Sequence, residues 1–194
     1  MLHRLRPVLT RPTALLLATL LPASLALSAC GDEETTFTGF DAVSISGDVG
    51  TTPELDWKGT LLPGKAAAKV VSEGDGAEIA KDDVVRIDYT LANGYTHKIN
   101  YDTYDEFTLS SLVKVGAEKD PESVSDLLTQ AIVKEIEPGQ TIGTRLAVTI
   151  GSEQLIGDYL GNAQVSQFFA GIDVGNEDGL LFVADLTALA GPNG

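Results

Sequence analysis

Few groups in this chain have the type and spacing to do chemistry. Gly59-Thr60-Leu61-Leu62-Pro63-Gly64-Lys65-Ala66 keeps the spacing of a phosphate loop up to its last position, where Ala66 stands in place of the hydroxyl that holds magnesium. Such a loop must also open a helix whose amides face the anion, and Lys69-Val70-Val71 reads as another strand. After His3, the only histidine is His97, which excludes a zinc site of paired histidines from the mature part. No G-x-S-x-G elbow accompanies it, and beside Lys98 in a polar loop it reads as solvated. The acidic run from Asp173 to Gly179 lacks the alternating ligands and closing glutamate of a calcium loop, so it reads as a charged turn. Asp102, Asp105 and Glu106 form a second acidic cluster; paired carboxylates can do acid–base work, but such a run is more simply a solvated face. Cys30 is the only cysteine, so the chain has no internal disulfide.

The position of Cys30 points to a different use. A basic, proline-broken start with Arg4, Arg6 and Arg11 is followed by an apolar run from Ala14 to Leu27, the plan of a secretory signal. The run is too short and proline-interrupted to span a membrane comfortably. It ends in Leu27-Ser28-Ala29-Cys30, which resembles a bacterial lipobox. The resemblance implies cleavage after Ala29 and a diacylglyceryl group on Cys30. Residues 1–29 are therefore expected to be a lipoprotein signal peptide. Residues 30–39 are expected to be an acylated tether, since GDEETTFTG is too polar and acidic to fold. The protein is expected outside the cytoplasm, anchored to the cell membrane by lipidated Cys30.

The 194 residues include 13 basic and 28 acidic side chains, a formal charge of −15, and losing the three signal arginines takes the mature part to −18. That balance argues against a nucleic-acid partner, which requires a basic surface. Anionic headgroups would repel the domain, so the lipid and not the surface charge is the anchor. The length supports one domain.

The elements that must position any site are mostly strands. Phe40 to Ile45 and Glu54 to Leu62 flank a Gly- and Pro-rich turn and predict an N-terminal hairpin extension over 40–66, with Trp57 covering one end of the core. Val85, Ile87, Tyr89 and Leu91 alternate with polar residues; so do Leu146, Val148 and Ile150; Leu180, Phe182, Ala184 and Leu186 make a third such series. One segment reads as a helix: Val124, Leu127, Leu128 and Ala131 recur at helical spacing, with Asp120-Pro121 as its expected start and Pro138-Gly139 its end. The class is α+β, a twisted antiparallel sheet wrapped on one short helix with its other face wetter.

The order of several short motifs then resembles an FKBP-type peptidyl-prolyl isomerase domain over residues 67–190. Ser72-Glu73-Gly74-Asp75-Gly76 resembles that family's first turn, Lys81-Asp82-Asp83-Val84-Val85 its K-x-G-D-x-V step, and Ile87-Asp88-Tyr89-Thr90 its V-x-Y strand. Asn93-Gly94 falls at the next hairpin turn, Ile142-Gly143-Thr144-Arg145-Leu146 resembles V-G-x-R-x, and Gly179 to Leu186 resembles the last strand. With the lipobox, the chain is similar to exported FKBP-type lipoproteins of Gram-positive, especially actinobacterial, bacteria. The resemblance implies binding of proline-containing peptides or folding proteins and isomerisation of X-Pro bonds. That reaction needs no cofactor or nucleophile, only an aromatic pocket that desolvates the planar amide and tolerates the twisted one.

Carried over residue by residue, the implied pocket consists of Tyr89, Phe182 and Phe107, with Tyr101 and Asp102 if one residue is inserted before them. The family's floor tryptophan falls at or next to Leu128, and its ligand-binding tyrosine falls at Ile156; both departures remove groups that hold a ligand. Restoring the floor as Leu128→Trp is then expected to strengthen proline-peptide binding. No residue is firmly assigned as catalytic, and a non-catalytic peptide-binding or chaperone module is the alternative. Neither the client nor the oligomeric state is legible.

Overall fold

The computed structural model describes residues 35–117 and 120–191. The expected signal peptide, Cys30 and the first part of the tether lie outside the described residues. Among those described, no helix is long and apolar enough to cross a membrane.

The alternating segments pair as an antiparallel sheet of six strands: β5 (Ala67–Ser72), β6 (Val84–Asn93), β7 (Lys98–Asp102), β8 (Ser111–Lys114), β9 (Arg145–Gly151) and β10 (Gly179–Ala190). Their order is β5-β9-β10-β6-β7. The first half of β6 pairs with β8 and its second half with β7. The long strand β10 sits at the centre between β9 and β6, with Phe182 opposite both Val148 and Leu91. The strand β5 begins at Ala67, directly after Lys65-Ala66, where a phosphate loop would open a helix, so the loop with phosphate-loop spacing opens none. β6 turns into β7 at Gly94, where any side chain would collide with Leu61 and with the Gly179 carbonyl; only glycine permits that approach.

The chain is α+β, as alternation implies, but the described residues include three α-helices: α1 (Val124–Val133), α2 (Ser152–Ile156) and α3 (Ala163–Gly171). α1 starts later than Asp120-Pro121, because Ser123 is the N-cap and accepts from the Asp126 amide at 3.1 Å. It stops at Val133, before Pro138-Gly139. The helical layer covers one sheet face, and the core between them holds Val85, Ile87, Leu146, Val148, Leu128 and Ile132 among its buried side chains.

The opposite face is not wet. The N-terminal strands β1 (Thr36–Phe37), β2 (Val43–Ser46), β3 (Glu54–Trp57) and β4 (Thr60–Leu61) include a β2–β3 hairpin and a parallel β1–β4 pair. From this segment Val43, Leu61, Leu55 and Trp57 pack on Ala147, Leu181 and Val183 of the sheet. Thr36 and Phe37, expected in the tether, are ordered by that pairing. β10 is apolar on both faces, the composition of a strand covered on both sides.

An ion pair fixes the hairpin to this face. Arg145 of β9 donates to both carboxylate oxygens of Asp185 on β10, at 2.7 and 2.8 Å, and both side chains are buried. The guanidinium also donates to the carbonyls of Gly47, Asp48 and Thr51 at 2.8 to 3.0 Å, and the Gly50 amide donates to Asp185 Oδ2 at 2.6 Å. Burial works against the guanidinium charge, yet the Asp185 carboxylate outweighs it and holds the Arg145 pKa above its ordinary value. The polar turn between β2 and β3 thus finds partners inside the protein that it could not find on an apolar sheet.

Candidate functional site

Tyr89 and Phe182 lie on adjacent strands of the helix-facing side, with ring centroids 6.4 Å apart. Tyr101 joins them from β7, 5.7 Å from Tyr89. Its orientation depends on a bulge: Leu91 pairs with Tyr101 but Ala92 pairs with Ile99, so Asn100 is an extra residue on β7. The bulge puts Tyr101 on the same face as Leu91 and Tyr89. Thr103 extends this pairing beyond β7, its hydroxyl accepting from the Tyr89 amide at 2.7 Å. The Tyr89 hydroxyl is buried without a hydrogen bond, although the hydroxyls of Ser111 and Tyr101 are its polar neighbours. Burial pushes its pKa far up, so it stays protonated.

Two residues expected in the pocket are elsewhere. Phe107 is 86% exposed, because the Asp105 carboxylate accepts from the Phe107 amide at 2.8 Å and turns the loop outward. Asp102 follows Tyr101 and points to the other side of the strand, where it accepts from Thr52 Oγ1 and from the Tyr104 amide, each at 2.8 Å. Its carboxylate holds the loop and the hairpin, away from the rings.

Leu128 and Ile156 are fully buried and belong to the same continuous core as Tyr89 and Phe182. At Leu128 the chain has no space for an indole. Leu128→Trp is therefore expected to lower unfolding stability by about 1 to 3 kcal/mol through overpacking, with no gain in proline-peptide binding; denaturant melts and a peptide titration check both. That replaces the expectation drawn from the resemblance.

The side of the cluster left open by the sheet is closed by α3. Phe168 meets Tyr101 edge-on at 5.9 Å and Phe169 at 5.4 Å. Phe169 and Val165 are buried beneath it. The helix is secured at both ends. Asn162 caps its start, accepting from the Gln164 amide at 2.9 Å. Beyond its last turn, the Asn100 side chain donates to the Ile172 carbonyl at 2.7 Å and Asn93 to the Asp173 carbonyl at 3.0 Å. These bonds satisfy carbonyls that a helix end would otherwise leave unpaired. Asp178 supports the following turn by accepting from Asn93 and from the Gly175 amide. The carboxylate of this acidic run thus serves the turn.

Tyr89 and Phe182 are 0% exposed. A depression of about 340 Å³ lies behind α3, lined by Ile156, Leu160, Ser166, Phe169 and Val174 among others, but its walls do not include Tyr89, Tyr101 or Phe182. The rings of Tyr89, Tyr101 and Phe182 come together, and the chain's own Phe168 packs edge-on against Tyr101 at the rim of that cluster. The sequence reading missed α3, Phe168 and the two asparagines. Val165, Phe168, Phe169 and Ile172 recur at i, i+3, i+4 and i+7 after Asn162, a signal strong enough to have placed the helix.

No protein-family model matches the chain, and no curated protein does. Among solved structures, it is similar to the N-terminal domain of FKBP42 from Arabidopsis thaliana, with 19% identity, a TM-score of 0.44, and coverage of 74% of this chain and 99% of that one. It is also similar to AtFKBP13, with 16% identity, a TM-score of 0.44, and coverage of 64% and 93%. A peptidyl-prolyl cis-trans isomerase from Pseudomonas syringae pv. tomato gives 14% identity, a TM-score of 0.39, and coverage of 64% and 75%.

Proposed function

We propose that this protein is an extracytoplasmic, membrane-anchored module of FKBP type whose prolyl site is occupied by its own helix α3, so that it binds protein partners without isomerising X-Pro bonds. The observation that carries this reading is the position of Phe168, edge-on to Tyr101 over a cluster in which Tyr89 and Phe182 have no exposed surface. An isomerase must admit a prolyl ring and its flanking amide, because catalysis requires tighter contact with the twisted bond than with the planar one. With Tyr89 and Phe182 buried and Tyr101 covered by Phe168, the cluster offers no such contact. The loss of the indole and phenol at Leu128 and Ile156 points the same way. The test is exchange between cis and trans forms of a proline-containing peptide, followed by NMR with the purified full chain in neutral detergent. The rate is expected to equal that of the peptide alone, and acceleration would overturn the reading.

One observation favours a second reading, slow isomerisation by a form in which α3 has moved aside. The three rings Tyr89, Tyr101 and Phe182 are kept together within 5.7 to 6.4 Å of their neighbours. The same exchange measurement separates the readings.

Anchoring rests on the lipobox resemblance at Leu27-Ser28-Ala29-Cys30. Cys30→Ala is expected to move the protein from the membrane fraction to the medium or to stall it uncleaved. Mass spectrometry finding an unmodified mature N-terminus in wild type would contradict the anchor.

A further inference from the structure

We infer that the loop between β7 and β8, with Phe107 and Leu109 at its tip, docks a basic, apolar segment of a partner protein. This rests on the binding-module reading, since it supplies the surface such a module uses when its aromatic cluster is closed. Phe107 is 86% exposed, Leu109 88% and Leu112 of β8 65%. These are three large apolar side chains within six residues, and Phe107 and Leu109 are the most exposed of the large apolar side chains among the described residues. An apolar group on a surface this acidic marks a contact site.

The exposure is built in. Thr103 bonds to the Tyr89 backbone in both directions, and the Tyr104 hydroxyl donates to the Asp88 carbonyl at 3.1 Å. Asp102 holds the Tyr104 amide while Asp105 holds the Phe107 amide and its carbonyl accepts from Thr108. The base of the loop is thereby tied to β6, and its tip is turned away from the core.

Charge selects the occupant. Asp105 and Glu106 stand beside Phe107, both exposed, and neither forms an ion pair among the described residues. A second copy would bring the same carboxylates face to face, and anionic headgroups would be repelled by them. A segment carrying lysine or arginine beside leucine or phenylalanine complements both features, its cations pairing with Asp105 and Glu106 while its apolar groups cover Phe107 and Leu109.

The test uses the full chain in neutral detergent, titrated by NMR with a short peptide alternating lysine with leucine, and with its glutamate counterpart. The expected result is saturable shifts at residues 104–112 with the basic peptide alone. They should weaken several-fold when salt rises from about 0.05 to 0.5 M and vanish in the Phe107→Ser/Leu109→Ser double variant. Both side chains are exposed, so this variant keeps the wild-type melting curve. Absence of those shifts overturns the inference, as do shifts that survive the double substitution. Dimerisation, or retention on phosphatidylglycerol vesicles, that is lost in the double variant overturns it in favour of a second copy or a membrane. Catalysed proline exchange would sink the closed-site reading and leave this loop's test unaffected.

Discussion

Asp185→Ala lowers the unfolding free energy by about 3 to 5 kcal/mol, the range for breaking a buried ion pair by removing one partner. The Arg145 guanidinium would remain in place at 1% exposure with no carboxylate. The Gly50 amide, 2.6 Å from Asp185 Oδ2, would lose its acceptor as well. Against a typical domain stability of about 5 to 15 kcal/mol, that is a fifth or more of the total, and it falls first on the hairpin. With a urea slope of about 2 kcal/mol per M, the midpoint drops by on the order of 2 M. Arg145→Met combined with Asp185→Leu restores part of the loss, because no charge is then left unpaired. The carbonyls of Gly47, Asp48 and Thr51 still lose their donor, so recovery is incomplete. A loss under about 1 kcal/mol for Asp185→Ala would mean that the pair is solvated and the hairpin does not depend on it.

Phe168→Ala is expected to produce a domain that binds proline-containing peptides where wild type, on the closed-site reading, does not. Phe168 is half-buried, so its removal costs about half the 3 to 5 kcal/mol of a buried Phe→Ala change. The helix keeps its buried residues Val165 and Phe169, its Asn162 cap and its two asparagine clamps. The domain therefore stays folded while the face of Tyr101 becomes accessible. A prolyl ring can stack there, with aromatic contacts worth about 0.5 to 1.5 kcal/mol beyond burial. The expected affinity is of order 1 mM, about 4 kcal/mol, modest because Leu128 and Ile156 add neither an indole surface nor a phenol hydrogen bond. Phe169→Ala is the contrasting variant. It empties a buried position, carries the full penalty, and is expected to unfold α3 rather than uncover a site.

How far the sequence showed this arrangement depends on what each residue type reveals locally. The three strand series were legible because Val85, Ile87, Tyr89 and Leu91, and their counterparts on β9 and β10, alternate over long runs. α1 was legible from spacing, but its start was misplaced because Asp120 and Ser123 are both acceptable caps. The covered second face was not legible. Arg145 alternates with apolar residues and so reads as solvent-facing; only the fold reveals that its partner lies 40 residues later and its carbonyl acceptors more than 90 residues earlier. Phe107 looked like a pocket residue by sequence position, and a single Asp105 turn sends it outward. The bulge at Asn100 could be foreseen as an inserted residue, but its donation to the carbonyl at the end of α3 could not. α3 itself has a readable pattern; nine residues bounded by Gly161 and Gly171 are easily taken for a loop.

The central claim, that Phe168 occupies the place a prolyl ring would take, is tested most directly by titrating a proline-containing peptide into wild type and Phe168→Ala side by side. The readout is the aromatic resonances of Tyr89, Tyr101 and Phe182. The account predicts no movement in wild type and saturable shifts at all three in the variant, with both proteins folded. Saturable shifts of those resonances in wild type, or none in a folded Phe168→Ala, would contradict it.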